Sequence, residues 1–294
     1  MDALVALTAA HLETFVLVFC RLGGMMVWAP VLGHRSIPVP HRAGLAALLG
    51  LLITPVVGGA PRGSAGDAVA LVGAVAGEAL VGLAIGFVAH LIVAAVHVAG
   101  EMAGMQMGLG IASVFDPAAG EQTQVLTRLL EIVALLTFLA VNGHHLLIRA
   151  VAASFSRIGP GAGLDPAAAG GLGALGGKVF RSGLEMAAPV VGLLMALNVA
   201  LALLSRAVPQ MNVFFVALPA SVAVGLLGLV DSMPVLGHVV TRLVGEMAGD
   251  LDLLVASKRP ERVMEAFVKV PFCARVLAAG TTKSSILTTD GLQV

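Results

Sequence analysis

The histidines and carboxylates that stand inside apolar runs are the residues whose types could do chemistry. His90, His97 and Glu101 share one run with Glu78 upstream, and His144, His145, Glu131 and Glu185 sit in or beside others. Imidazole and carboxylate side chains could ligate a metal or carry protons. Yet His90 and His97 stand two helical turns apart, and a zinc-type site gathers closer ligands. On a helix His144 and His145 diverge by about 100°, which makes a poor metal pair and reads instead as a helix end at the membrane interface. Nucleophilic or phosphate chemistry has no better support, because HExxH, GxSxG and Walker-type motifs are absent from the sequence. The stretch "GLDPAAAGGLGALGGK" lacks the Gly-Lys-Ser/Thr ending of a phosphate loop and reads as a linker. The expectation is a chain without catalytic residues, metal or cofactor.

The elements that must position these residues are hydrophobic helices. Of 294 residues 58% are hydrophobic before the 36 glycines are counted, and only 12% are charged. Soluble domains have about 45–50% apolar residues with glycine included and about 25% charged. No soluble fold hides so much apolar surface, so the composition predicts an all-α, multi-pass membrane protein. A formal net charge of zero leaves no basic surface for nucleic acid. Cys20 and Cys273 make neither a CxxC pair nor a disulfide framework. The first apolar run has no basic n-region and no Ala-x-Ala cleavage site, and reads as a retained first membrane helix inserted in an inner membrane.

A span needs about 20 mainly apolar residues. Windows at 10–31, 43–59, 69–98, 129–151, 184–204 and 213–230 qualify, separated by breaks rich in proline and glycine. A Gly/Ala linker around 159–177 divides the chain into halves without an evident repeat. Residues 1–236 read as the membrane region, 237–270 as an amphipathic C-terminal helix region, and 271–294 as a disordered tail. Arg62, Arg149, Arg157, Lys178, Arg181 and the basic residues after Leu236 fall on one side of the six-span layout, against Arg35, Arg42, Arg128 and Arg206 on the other. This bias places both termini in the cytoplasm. The third window is too long. From Val69 to Gly108 no proline interrupts it, so a helix there would run about 60 Å against a bilayer core of about 30 Å. It must tilt strongly, project from the lipid, or break near Gly100.

At 100° per residue Gly86, His90, His97, Glu101, Gly104 and Gly108 fall within about 60° of one another. Small residues allow close helix approach, and His or Glu can hydrogen-bond across the contact. A charge facing lipid would cost at least about 2.5–3.5 kcal/mol, so the stripe should face protein or water. By the same reasoning Glu78, Glu131 and Glu185 each need a polar partner, which spacing alone does not identify. The stretch "AGEMAGMQMGLGIASVFDPAAGEQ" continues from this stripe. Its glycines at 100, 104 and 108 suit close packing, helical order weakens through "MGLGIA", and Asp116-Pro117 imposes a turn. Met102, Met105 and Met107 add adaptable side chains. A deformable seal is one reading, with Met105, Met107, Leu109, Ile111, Val114 and Phe115 blocking a channel at rest; packing between subunits is the other.

Three stretches together resemble the FliR family of export-gate subunits. The first is "FCRLGGMMVWAPVLGHRSIPVPHRAGLAALL", with Arg21, Pro30, Gly33, Ile37-Pro38 and Arg42. The second carries Glu78, Gly82, Gly86, Phe87, Ala99, Gly100, Gln106, Gly108, Asp116 and Pro117. The third holds Asn-Gly-His, Ser-Phe and the segment with Arg206, Pro209, Gln210, Met211, Asn212, Val213 and Phe214. Their order and spacing over about 230 residues make the match specific.

The resemblance implies a non-enzymatic subunit of a helical export gate in the bacterial inner membrane, at the flagellar basal body or in the equivalent virulence secretion system. Its implied partners are FliP-like and FliQ-like subunits, a FlhB-like switch protein, unfolded export substrates and the lipid bilayer. It implies helices at unusual angles, and a channel plug over Met105, Gln106, Met107, Gly108, Leu109, Gly110, Ile111, Val114, Phe115, Asp116 and Pro117. Glu78, Gly82, Gly86, His90, His97, Gly100, Glu101, Gly104, Arg206, Pro209, Gln210 and Asn212 are the residues expected to pack helices or assemble subunits. A small-solute secondary transporter is the rival from another class, and it would show related halves. The Gly/Ala-rich linker and the long polar tail after Lys269 depart from the family pattern.

Overall fold

Apolar sequence of this length can satisfy its backbone in a bilayer only by closing its own hydrogen bonds, which favours helices. The computed structural model describes residues 2–34, 36–57, 68–109, 124–162, 172–210 and 212–254. The described residues hold α1 (Asp2–Trp28), α2 (Val39–Val57), α3 (Ala68–Gln106), α4 (Gln124–Ala140), α5 (Gly143–Arg157), α6 (Leu172–Ala207) and α7 (Val213–Leu254). No strand occurs among them. Five helices are long and apolar enough to cross a membrane, and α4 with α5 makes a sixth candidate if that bent pair counts as one span. The all-helical, multi-pass architecture expected from composition is present.

Several boundaries differ from the sequence reading. The fourth window is not one helix. It breaks at Asn142, whose φ of 60° and ψ of 30° are left-handed and whose backbone carbonyl accepts the first bonds of α5, from the amides of His145 and Leu146. Asn-Gly favours such a break because asparagine tolerates this conformation. His144 and His145 accordingly stand in the first turn of α5. The third window, by contrast, does not break near Gly100: α3 is continuous for 39 residues, about 58 Å. Even tilted by about 40° it would extend about 45 Å along the membrane normal, more than the hydrocarbon core. Helices α6 and α7, with 36 and 42 residues, are overlong as well. The Gly/Ala linker is shorter than expected, since α6 begins at Leu172. Residues 237–254 continue α7 without interruption, and the rest of the expected C-terminal region and tail lies outside the described residues.

The described residues group into two units. The first takes residues up to Val88, from Asn142 to Ala162, and from Ala248 to Leu254. Here α2 buries Ala46, Gly50, Ile53 and Thr54, the spacing of one helical face. Gly50 leaves room for the Phe15 ring of α1. Trp28 of α1 meets Phe87 of α3 edge-on, with ring centroids 5.5 Å apart. The second unit takes Ala89–Val141 and the described part of 171–247, with Ala95, Ala99, Phe138, Ala187 and Leu194 among its buried residues.

The turn after α1 contains a local outlier. Val31 has φ 66°, although a β-branched residue there is a true exception. The Leu32 amide reaches the Pro30 carbonyl at 2.7 Å and the Gly33 amide reaches Ala29 at 2.8 Å. Arg42 Nη1 donates to Gly33 O at 3.4 Å. These bonds hold Val31 in a rare form of γ-turn. Val31→Gly should remove about 1–2 kcal/mol of left-handed strain against about 0.5–1 kcal/mol of added chain entropy. The thermal midpoint in detergent should therefore hold or rise slightly, and a clear fall would show that the turn carries no strain.

Candidate functional site

The first unit is organised around a buried ion pair. Arg21 lies in the last third of the apolar α1 and Glu78 in the first third of α3, and both are 0% exposed. The helices can bring them together because their backbones nearly touch. A Cβ at Gly82 would run into the Arg21 carbonyl, one at Gly86 into the Met25 carbonyl, and one at Gly24 of α1 into the Ala79 carbonyl. This is the small-residue packing of membrane helices.

The Arg21 guanidinium then grips Glu78 with two bonds, Nε to Oε2 at 2.5 Å and Nη2 to Oε1 at 2.9 Å. Its remaining contacts come from the end of α5. Nη1 donates to Ser154 Oγ at 2.8 Å, Nη2 donates to the Ile158 carbonyl at 3.1 Å, and Cζ stands 3.9 Å from the centre of the Phe155 ring. The Gly161 amide donates to Glu78 Oε1 at 2.8 Å. Ser154 is oriented by donating its own hydroxyl to Val151 O at 2.6 Å. Buried charge is tolerable when paired and hydrogen-bonded in this way. The node ties α1, α3 and the turn after α5 together, and its carboxylate already accepts three bonds.

The second unit contains the foot of the Met/Gly stretch. Helix α3 ends in a Schellman cap. The Leu109 amide reaches Gly104 O and the Gly108 amide reaches Met105 O, each at 3.1 Å, and Gly108 takes φ 77°. Glycine suits this left-handed position because it has no Cβ. Met107 is 1% exposed and lies across Gly225 of α7, where a Cβ would meet its Cγ at 2.5 Å and its Sδ at 2.9 Å. Ser221 Oγ stands 3.1 Å from the Met107 carbonyl. Gly100 packs on Thr127 of α4, and Gly183 of α6 on Val98 and Ala95. Tertiary contact thus offsets the helix-weakening effect of glycine at position 100.

The structure sorts the residues singled out in the sequence. Glu78, Gly82 and Gly86 meet at the ion-pair node, while Gly100 and Gly104 are buried in the second unit. His90 is partly buried. The side chains of His97 and Glu101 are 55% and 39% exposed and stand 3.9 Å apart, so the stripe is not one continuous seam inside this chain. Of the expected plug, Met105 and Gln106 are exposed, Met107 is buried, and Gly108 and Leu109 are partly buried. Gly110, Ile111, Val114, Phe115, Asp116 and Pro117 lie outside the described residues. Arg206 is in the last turn of α6. Pro209, Gln210 and Asn212 are exposed in the break before α7.

Partners exist for all three acids. Besides the Glu78 pair, Glu131 Oε2 accepts from Arg128 at 3.0 Å. Glu185 accepts two bonds from Arg242, at 3.0 and 2.7 Å, and Glu246 stands 3.6 Å from the same guanidinium. Sequence reasoning missed Arg21 as the partner of Glu78, along with Ser154, Gly161, Ser221 and Gly225. One signal was available: Arg21 and Glu78 are opposite charges stranded in separate apolar windows. Among the described residues no group of three or more His, Cys, Asp or Glu could hold a metal ion.

Long apolar helices, a buried ion-pair lock and glycine-mediated seams define a multi-pass helical membrane protein. Residues 12–247 match the family described as bacterial export proteins, family 1, and the chain belongs to that family. It is similar to the flagellar biosynthetic protein FliR of Bacillus subtilis (strain 168), with 36% identity over 231 residues, covering 77% of this chain and 88% of the relative. The protein of the same name from Pectobacterium carotovorum subsp. carotovorum is 34% identical over 231 residues, covering 78% and 87%. That from Escherichia coli (strain K12) is 35% identical over 233 residues, covering 77% and 87%.

Proposed function

We propose that this chain is a non-enzymatic subunit of a flagellar type III protein export gate in the bacterial inner membrane. It would assemble with FliP-like and FliQ-like subunits, contact a FlhB-like switch protein, and help form the conduit for unfolded flagellar proteins. The observation that carries this reading is family membership together with relatives named for flagellar biosynthesis. Those names favour the flagellar system over a virulence counterpart. The overlong α3, α6 and α7 support it further, since helices of this length suit an assembly that extends beyond the lipid better than a conventional solute transporter.

The plug would be drawn from residues 105–117, with Met105 and Gln106, exposed at the end of α3, facing the conduit. Met107 would anchor this segment, since it is buried on Gly225 and its carbonyl is met by Ser221. The cap at Gly108 then marks where α3 and its anchor end. Deleting residues 108–115 from the full chain should leave complexes that assemble but leak ions across the membrane. Assembled complexes that stay ion-tight would remove the plug from this segment. Mass spectrometry of gently solubilised complexes tests the wider reading, and a solitary monomer would count against it.

A further inference from the structure

Helices α6 and α7, up to Met247, form a hairpin whose register is given by two contacts. A Cβ at Gly228 of α7 would meet Val190 Cα at 3.7 Å and Leu193 Cδ2 at 3.1 Å on α6. Farther from the break between the helices, Glu185 of α6 takes its two bonds from Arg242 of α7, at 3.0 and 2.7 Å. Between these contacts α6 carries Pro189 and α7 carries Pro234. Each proline lacks the amide that would bond four residues back, so the carbonyls of Glu185 and Val230 lose that helical donor. Both helices therefore have a weakened turn at about the same level, and the ion pair lies beyond it.

This pair differs in kind from the Arg21 node. Arg21 and Glu78 are sealed from solvent, whereas the side chains of Arg242 and Glu185 are 38% and 40% exposed, and a half-exposed pair holds less tightly than a buried one. Arg242 also has a second acid at hand. Glu246 stands one turn on along α7, 3.6 Å from Arg242 Nε, an atom that is buried and makes no hydrogen bond. Glu185 has the matching alternative in Arg181, one turn earlier on α6. When the bond between the helices breaks, a small rotation of the guanidinium brings Nε onto Glu246, and each charge keeps a partner on its own helix. Release is then cheap, because a stranded charge is what makes the breaking of an ion pair costly.

We propose that Glu185–Arg242 is a releasable latch: residues 172–188 and 235–247 are two arms that part about Pro189 and Pro234 while Arg242 passes from Glu185 to Glu246. Gly228 keeps the two helices together on the other side of the prolines. The latch needs only α6 and α7 and is independent of the export reading. In a merely structural cluster both acids would steady the same arginine, and losing either would loosen the arms. In a latch the two acids compete for it. Glu246 makes no hydrogen bond to Arg242 while the latch is closed and gains one on release, so substitutions of the two acids act in opposite directions.

The test uses the full chain in gently solubilised complexes, with Cys20→Ser and Cys273→Ser as background and spin labels attached through Phe180→Cys and Gly245→Cys. Both labelled positions are exposed, and a Cβ at Gly245 meets nothing within 4 Å. Pulsed electron resonance should give a major short distance and a minor long one. The long population should at least double when salt is raised to about 1 M, where screening acts over about 3 Å. At low salt Glu185→Gln should raise it at least fivefold, and Glu246→Gln should cut it to half or less. Arg242→Lys keeps the charge but loses the fork, and should fall between the parent and Glu185→Gln. Thermal midpoints should stay near the parent, because the pair is half exposed, so the distances are read on folded protein. A single short distance in the parent at both salt concentrations would overturn the latch. So would a Glu185→Gln distribution identical to the parent, or a long population that grows in Glu246→Gln.

Discussion

Arg21→Met is expected to unfold or strongly destabilise the first unit, by about 3–5 kcal/mol, the cost of removing one partner from a buried ion pair. Glu78 would stay fully buried with the Gly161 amide, 2.8 Å away, as its remaining donor among the described residues. Ser154 Oγ and the Ile158 carbonyl would lose the guanidinium as well. Glu78→Gln should be less severe, because the amide oxygen can still accept one bond while Arg21 keeps Ser154, Ile158 and the Phe155 face. The double change Arg21→Met with Glu78→Met should recover much of the loss, since replacing both charges by apolar groups removes the desolvation problem. Thermal midpoints in detergent of the parent, Arg21→Met, Glu78→Met and the double variant form a double-mutant cycle, in which the two single losses should sum to well more than the loss of the double. A single Arg21→Met variant as stable as the parent would mean that the node does not lock α1 to α3.

The sequence showed that these charges needed partners but not which ones. Burying Glu78 in an apolar run is costly anywhere, so its need for a partner could be read from residue type alone. The identity of that partner could not, because Arg21 lies 57 positions away and hydropathy carries no information on which helices touch. The stripe on α3 shows a second limit. Helical angle places Gly86 and His97 within about 20° of one another, yet Gly86 packs on Met25 while His97 is exposed. The angle was right, but a helix of about 58 Å meets different neighbours along its length, so one face can be buried near one end and bare near the other. Met107 shows a third. Methionine suits both a core and a yielding seal, and only the position of Gly225 decides that this one is held in the core.

Glycine substitutions should separate seams built on backbone from seams built on side chains. Gly82→Ala places a Cβ against the carbonyl oxygen and carbon of Arg21, and 2.9 Å from the Met25 amide nitrogen. These atoms belong to the α1 backbone and cannot swing aside, so the two helices must separate. That movement would stretch the Arg21–Glu78 bonds that depend on their approach, and the cost should reach the upper part of the range of about 1–3 kcal/mol for overpacking. At Gly225 the three atoms nearest an added Cβ all belong to the side chain of Met107. That side chain is buried and its Cγ lies nearest, but a thioether can take another rotamer, so the loss should fall in the lower part of the range of about 1–3 kcal/mol for overpacking. Gly23→Ala and Gly73→Ala meet nothing within 4 Å and should instead stabilise their helices by about 0.5–1 kcal/mol. Thermal unfolding of the four variants should therefore rank Gly82→Ala well below Gly225→Ala, with Gly23→Ala and Gly73→Ala at or above the parent. If Gly82→Ala matched Gly23→Ala, the close approach of α1 and α3 would not exist in the folded protein, and the ion-pair node would lose the geometry that brings its two charges together.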